Sequence, residues 1–190
     1  MPLYGIRSAY SARIIGHVQS SCFRYFQEMS DLALGWRGSY MRLYRIGSSL
    51  YPLFDGTGAM LHGGRWNSAG SRAIYCASSL AAAQLETLVH VGRASPPTNH
   101  TRISIEVPDD IAVTTIERHA LPPGWDHPTA TDVSQSIGDD WFSSGRTAIL
   151  RVPSVAAAED HVWVINQDHP DFARMTASPP QPLVWDPRLF

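Results

Sequence analysis

The chain has 190 residues, is 44% hydrophobic and carries a formal net charge of −2. It can bury one domain core and gives no reason to expect nucleic acid or an anionic membrane as its main partner. All 15 basic residues are arginine, which a GC-rich genome explains without any functional cause. Cys22 and Cys76 are too few for a disulfide framework and fit a reducing cytoplasm. No run approaches a membrane span, and the N-terminal segment lacks the apolar centre of a signal peptide.

Taken in order, residues 1–40 differ in character from the rest. A helix is predicted over 20–34, with Cys22, Phe26, Met29 and Ala33 on one stripe and Gly35 after its end. The compact domain is expected to span 41–190, with 1–40 as an extension containing that helix. Residues 41–46 read as a strand. The stretch 52–62 reads as a surface loop, because no helix is expected after Gly56 and Gly58.

Residues 63–86 organise the chain. Gly63, Gly64 and Gly70 permit a tight backbone path around Arg65, Trp66 and Asn67. Residues 73–77 then form a short buried strand bearing Tyr75. Ser78 or Ser79 caps a helix through Leu80, Leu85, Leu88 and Val89 that ends at Gly92. From Ala73 to Gly92 the only Asp, Glu, Lys or Arg is Glu86.

Beyond a break at Ser95-Pro96-Pro97, Ile103, Ile105 and Val107 alternate with Ser104 and Glu106, as in a strand with one wet face. A second strand is predicted over 111–116. The prolines of 121–128 enforce a loop. A helix follows over 131–141, capped by Thr129 or Thr131. Further strands are predicted over 147–152, 161–165 and 182–185. Strands outnumber helices without regular crossovers, so the class is α+β, a compact mixed domain rather than a doubly wound one.

Most standard chemistries are excluded. Two distant cysteines cannot form a thiolate site, and His161 and His169 lack the spacing of a helical metal pair, so no metal is expected. Ser154 follows Val152-Pro153 outside any nucleophile elbow. The glycines at 56, 58, 63 and 64 fit neither a dinucleotide fingerprint nor a phosphate loop. What remains is Arg45, Arg65, Tyr75, Glu86 and Ser154. Fixed guanidinium forks suit a phosphate or carboxylate, a strand tyrosine offers a flat face to a ring, and a partly dry carboxylate stabilises developing positive charge. Read alone, each also has a plain role: Glu86 as an exposed helix position, the arginines in surface ion pairs, Tyr75 in the core, Ser154 in a turn.

From Met41 to Leu189 the chain resembles the RES-domain toxins of bacterial type II toxin–antitoxin modules. The matching pieces are Leu43-Tyr44-Arg45, Gly63-Gly64-Arg65-Trp66-Asn67 with Gly70, Tyr75, Leu85-Glu86, Leu121-Pro122 with Trp125, Gly138 with Trp141, Val152-Pro153-Ser154 and His169-Pro170-Asp171-Phe172. They occur in the family's order. His161 departs from the pattern, where an Asn is expected, as does Gln167, where Asn-Pro is usual. Residues 1–40 fall outside the resemblance.

The resemblance implies a fold similar to the diphtheria-toxin type of ADP-ribosyltransferase, with NAD as substrate. Arg45 and Arg65 would hold the pyrophosphate and the nicotinamide-ribose end. Tyr75 would stack on nicotinamide, and Glu86 would stabilise the cation formed as the N-glycosidic bond breaks. Ser154 would hydrogen-bond in the nicotinamide pocket. The implied activity is mono-ADP-ribosylation of a host protein. Alternatives are NAD hydrolysis or phosphorolysis that depletes the pool, and a non-catalytic module that binds a partner through its arginines. The implied partner is an antitoxin protein with a helix-turn-helix part, which makes any DNA contact itself. No direct nucleic-acid or membrane contact is expected, and the cytoplasm is the expected location.

Overall fold

A computed structural model describes residues 39–91 and 98–190. The helix expected over 20–34 lies outside the described residues. Eight strands are present among them: β1 (Tyr40–Ser48), β2 (Ala73–Ala77), β3 (His100–Pro108), β4 (Val113–Thr115), β5 (Ile149–Pro153), β6 (His161–Asn166), β7 (Thr176–Ala177) and β8 (Gln181–Pro182). They form one sheet in the order β4-β5-β6-β2-β1-β3-β7, with β8 also on β3. Every pairing is antiparallel except β4 with β5. This is the mixed class expected: the sheet is mostly antiparallel, and only the parallel β4–β5 pair is joined through a helical crossover, residues 132–144.

Alternation along the strands feeds two cores. Leu43, Ile74, Cys76, Ile103, Ile105, Ile149 and Ile165 pack together. Ala73, Leu150, Val152 and Val164 pack with Trp66, Trp125 and Trp141. Neighbours such as Ile74 and Ala73, or Ile149 and Leu150, thus enter different clusters, as a period of two requires.

Three α-helices are described: α1 (Thr57–His62), α2 (Leu80–Val91) and α3 (Asp132–Ser144). In α2 the N–H of Ala82 donates to the Ser79 hydroxyl at 3.1 Å, the cap predicted from sequence. Its buried Ala82 and Ala83 cluster with Ala77, Tyr44 and Ile46, so small side chains bring this helix close to the sheet. Helix α3 ends on Gly145 in the left-handed region, φ 56°. Thr131 occupies its N-cap but makes no side-chain cap bond.

Three expectations need correction. Residues 52–62 contain α1, whose first turn is held by Asp55 accepting from the Thr57 N–H and hydroxyl at 3.2 and 3.0 Å. The strand expected over 111–116 is only Val113–Thr115. The last strand is Gln181–Pro182, not 182–185, and Val184 is 83% exposed.

Strand β1 pairs with β3 along its whole length, from Tyr40 opposite Pro108 to Ser48 opposite His100. With β2 it shares one pair, Tyr44 opposite Ala77. Away from that pair the two central strands part, and the candidate site lies where they do.

Candidate active site

The glycine-rich turn is a rigid frame. Asn67 is fully buried, and its amide donates to the carbonyls of Ala59 and Ser68 at 3.0 and 2.8 Å. Its carbonyl oxygen accepts from the Tyr75 hydroxyl at 2.7 Å, and that hydroxyl accepts from the Trp66 N–H at 3.0 Å. Gln135 on α3 donates to the Gly64 carbonyl at 2.9 Å. Two glycines are required by close approach. A Cβ at Gly64 would stand 2.5 Å from the Tyr75 hydroxyl, and one at Gly138 would stand 1.8 Å from the Trp66 carbonyl oxygen. The turn is therefore pressed between Tyr75 and α3.

A cavity of about 400 Å³ opens beside this frame, lined by Arg45 from β1, Gly64 and Arg65 from the turn, Tyr75 and Cys76 from β2, and Glu86 and His90 from α2. Tyr44, Val89, Val155 and Ala156 complete much of its wall. Four of the five residues singled out from sequence thus share one cavity, although they lie on three elements and a turn. Ser154 is 2% exposed and is not part of the wall; it stands behind Glu86.

Electrostatically the cavity is uneven. Burial holds the Arg45 guanidinium below its ordinary value, with Cys76, Asp55 and Tyr75 opposing that shift. Its Nη1 is buried and has no hydrogen-bond partner among the described residues. A buried donor left without an acceptor is costly, and the side chain remains charged. Burial pushes the Tyr75 hydroxyl above the ordinary range, so it serves as a fixed ring and not as a proton carrier. The Cys76 thiol is pushed up to about 12 by burial and stays protonated.

Glu86 is half-buried. Its Oε1 accepts from the Ser154 hydroxyl at 2.6 Å, and that hydroxyl accepts from the Ala157 N–H at 3.0 Å. No other hydrogen bond reaches the carboxylate from the described residues, so Oε2 has no protein partner among them. Arg65 is differently employed. Its Nη1 donates to the carbonyls of Trp125 and His127 at 3.3 and 3.0 Å, and its Nη2 to Pro128 at 3.2 Å. Much of its fork ties the 121–128 loop to the turn. Sequence reasoning missed Asn67, Gln135 and Gly138 as the frame. Asn67 was visible within its motif, but partners 68 to 71 residues away, such as Gln135, leave no local trace.

Among the described residues no group of three His, Cys, Asp or Glu is placed to hold a metal ion. None of their helices is long and apolar enough to cross a membrane.

Comparison with known proteins shows the family. The RES domain model matches residues 42–186. A relative from Sphingobium sp. (strain YBL2), named Prs ADP-ribosylating toxin, is 42% identical over 71% of this chain and 85% of its own length. Toxin Res of Photorhabdus laumondii is 35% identical over 70% of this chain and 85% of its own. Among solved structures, a chain in the M. tuberculosis MbcT-MbcA toxin-antitoxin complex superposes with a TM-score of 0.62 at 21% identity, covering 77% of this chain and 85% of its own. That likeness concerns the fold. With three quarters of its length inside the domain model, and a relative 42% identical to it, the chain belongs to the RES domain family.

Proposed function

We propose that this chain is the toxin of a toxin–antitoxin pair, acting in the bacterial cytoplasm by cleaving NAD and passing ADP-ribose to a host protein. The observation that carries this reading is that Arg45, a desolvated guanidinium whose buried Nη1 has no partner among the described residues, lines the same cavity as Glu86 and Tyr75. A dinucleotide would bring an anion, an aromatic ring and a sugar that becomes cationic, one for each. The name of the Sphingobium relative supports it. So does the mixed, mostly antiparallel sheet parting at the cavity, which we read as kin to the diphtheria-toxin type of ADP-ribosyltransferase.

In this reading the Arg45 guanidinium bonds a pyrophosphate oxygen, which offsets the desolvation of its charge. Arg65 adds positive charge to the cavity wall while keeping the 121–128 loop in place. Tyr75, locked by Asn67 and the Trp66 N–H, gives nicotinamide a flat, immobile surface. Glu86 faces the ribose carbon bonded to nicotinamide. As that carbon–nitrogen bond breaks, its electron pair leaves with the ring, which departs neutral. The carboxylate stabilises the positive charge left on the ribose. The acceptor then bonds to the same carbon and releases its proton to solvent. The chemistry asks for orientation and one fixed anion, and no strong acid. Ser154 keeps that anion in place.

The proposed partner is an antitoxin protein, which the toxin-antitoxin complex among the structural neighbours supports; its helix-turn-helix part is what the family resemblance implies. The test is incubation of the purified chain with adenine-labelled NAD and a cell lysate. Released nicotinamide together with a labelled protein band is the expected result. Nicotinamide with only free ADP-ribose or its phosphate points to NAD depletion instead. No nicotinamide and no NAD binding leaves a partner-binding module.

A further inference from the structure

We propose that Arg118, which does not line the cavity, is a positioning residue that sets the Glu86 carboxylate through the turn carrying Ser154; this rests on the role given to Glu86 above. The chain of contacts is continuous. The Arg118 Nη2 donates to the Ser154 carbonyl at 2.7 Å and to the Ala158 carbonyl at 3.2 Å. Its guanidinium carbon lies 4.9 Å from the centre of the Trp125 ring, a cation–π distance. Trp125 is 5% exposed and meets Trp66 at 6.0 Å. The anchor thus rests on the second core, whereas the object held is the turn at the end of β5.

That turn needs an external hold. Its own main-chain bonds are Ser154 N–H to the Asp160 carbonyl at 2.8 Å and Asp160 N–H to the Ala157 carbonyl at 3.1 Å. Both close the loop on itself, and neither fixes it to the body of the domain beyond β5 and β6. Arg118 supplies the cross-tie, on the main chain of the residue whose hydroxyl reaches Glu86. A fork bound to two carbonyls and laid on an indole holds orientation as well as distance, which an ammonium cannot reproduce. The same 118–128 stretch is gripped at its far end by Arg65 through the carbonyls of Trp125, His127 and Pro128. One bracket therefore references both the Arg65 wall and the Glu86 wall to Trp125.

The balance of the contact is simple. Without Arg118 the exposed Ala158 carbonyl turns to water, whereas the carbonyl of buried Ser154 loses its donor and the turn must shift to find another, a local loss that leaves the two cores intact. What is lost is the placement of the Ser154 hydroxyl, and small displacements of a reacting group are expensive in rate. The rate, not the affinity for NAD, is where Arg118 is read.

The test uses the full chain with Arg118→Gln and Arg118→Lys. Arg118→Gln is expected to lower kcat for nicotinamide release by about tenfold to a hundredfold, with KM for NAD within about twofold. Arg118→Lys, able to hydrogen-bond but not to lie flat on the indole, is expected between the two. In a Glu86→Gln background Arg118→Gln is expected to add no further loss. A second readout does not depend on turnover: with glutamate labelled at its carboxyl carbon, the Glu86 NMR signal, assigned by its loss in Glu86→Gln, is expected to move in Arg118→Gln in the same direction as in Ser154→Ala. An unmoved Glu86 signal, a wild-type kcat in Arg118→Gln, or a loss that simply adds to that of Glu86→Gln overturns the proposal. Wild-type protein that leaves NAD intact overturns the assigned activity instead, and the Glu86 signal still decides the tie.

Discussion

The Ser154 hydroxyl donates to Glu86 Oε1 at 2.6 Å across 68 residues of sequence, from the end of β5 to the middle of α2. With the Ala157 N–H donating to the same hydroxyl, its hydrogen has one direction to point. Glu86, on the cavity wall, is thus a restrained carboxylate with one oxygen held and the other without a partner among the described residues. Ser154→Ala is expected to keep the fold and to lower kcat for nicotinamide release by about tenfold, since a hydrogen bond to a charged group contributes about 1.5–3 kcal/mol. Steady-state kinetics beside thermal melting separates the two effects.

Arg45 predicts an opposition between stability and binding. Its guanidinium is desolvated and Nη1 has no acceptor among the described residues. Arg45→Met keeps the stem and removes the stranded donor. The variant is expected to match or exceed wild-type stability in urea unfolding. Its NAD affinity, measured by calorimetry, is expected to fall by about a hundredfold, the loss of one charge-assisted contact of about 3 kcal/mol. A destabilised variant that still binds NAD would show that Arg45 belongs to the fold and not to the ligand.

Tyr75 joins frame and site. Its hydroxyl is both donor to Asn67 and acceptor from the Trp66 N–H. Tyr75→Phe leaves the buried Asn67 oxygen and that N–H unsatisfied, at a cost of about 1–3 kcal/mol. The ring itself remains, so NAD cleavage measured well below the melting temperature is expected to survive. Gly138→Ala is expected to be worse, by about 2 kcal/mol or more, because its Cβ would fall 1.8 Å from backbone and not from a movable side chain. Paired melting curves of the two variants check the order.

His161 gives a pH dependence. Its ring meets the Arg151 guanidinium at 3.1 Å, and burial, then Arg151 and Arg118, hold it below the ordinary histidine value, against Glu117 and Asp160. The unfolded chain therefore takes up the proton first. The resulting stability is fully present above about pH 6.5 and is lost as pH falls through the lower folded value. His161→Asn is expected to remove that part of the slope, which urea unfolding between about pH 5 and 7.5 would show as converging wild-type and variant curves at the acid end.

Local signals in the chain were legible where one element carried its own explanation. The strand over 73–77 and the Ser79-capped helix were readable because apolar period, cap and small residues agreed. Helix α1 was not, since Gly56 and Gly58 read as loop. Gly56 is there because a Cβ would stand 2.7 Å from the Arg72 backbone, a contact 16 residues distant that sequence does not display. Val184 and Trp185 looked like a strand, but β8 stops after Gln181 and Pro182 pair with Arg102 and Thr101. In the cavity, residue types were legible and division of labour was not. Ser154 reads as a ligand contact until Glu86 is found against it, and Arg65 as a free fork until three loop carbonyls are found on it. Arg118 offered no signal, because its partners lie 36 and 40 residues downstream.

The most direct measurement is nicotinamide release from NAD by the wild-type chain and by Glu86→Gln, with NAD binding followed in parallel. Wild-type protein should release nicotinamide. Glu86→Gln should still bind NAD but cleave it about a hundredfold to a thousandfold more slowly, the loss of about 3 kcal/mol of transition-state stabilisation. A folded Glu86→Gln protein that turns over NAD at the wild-type rate would contradict the account.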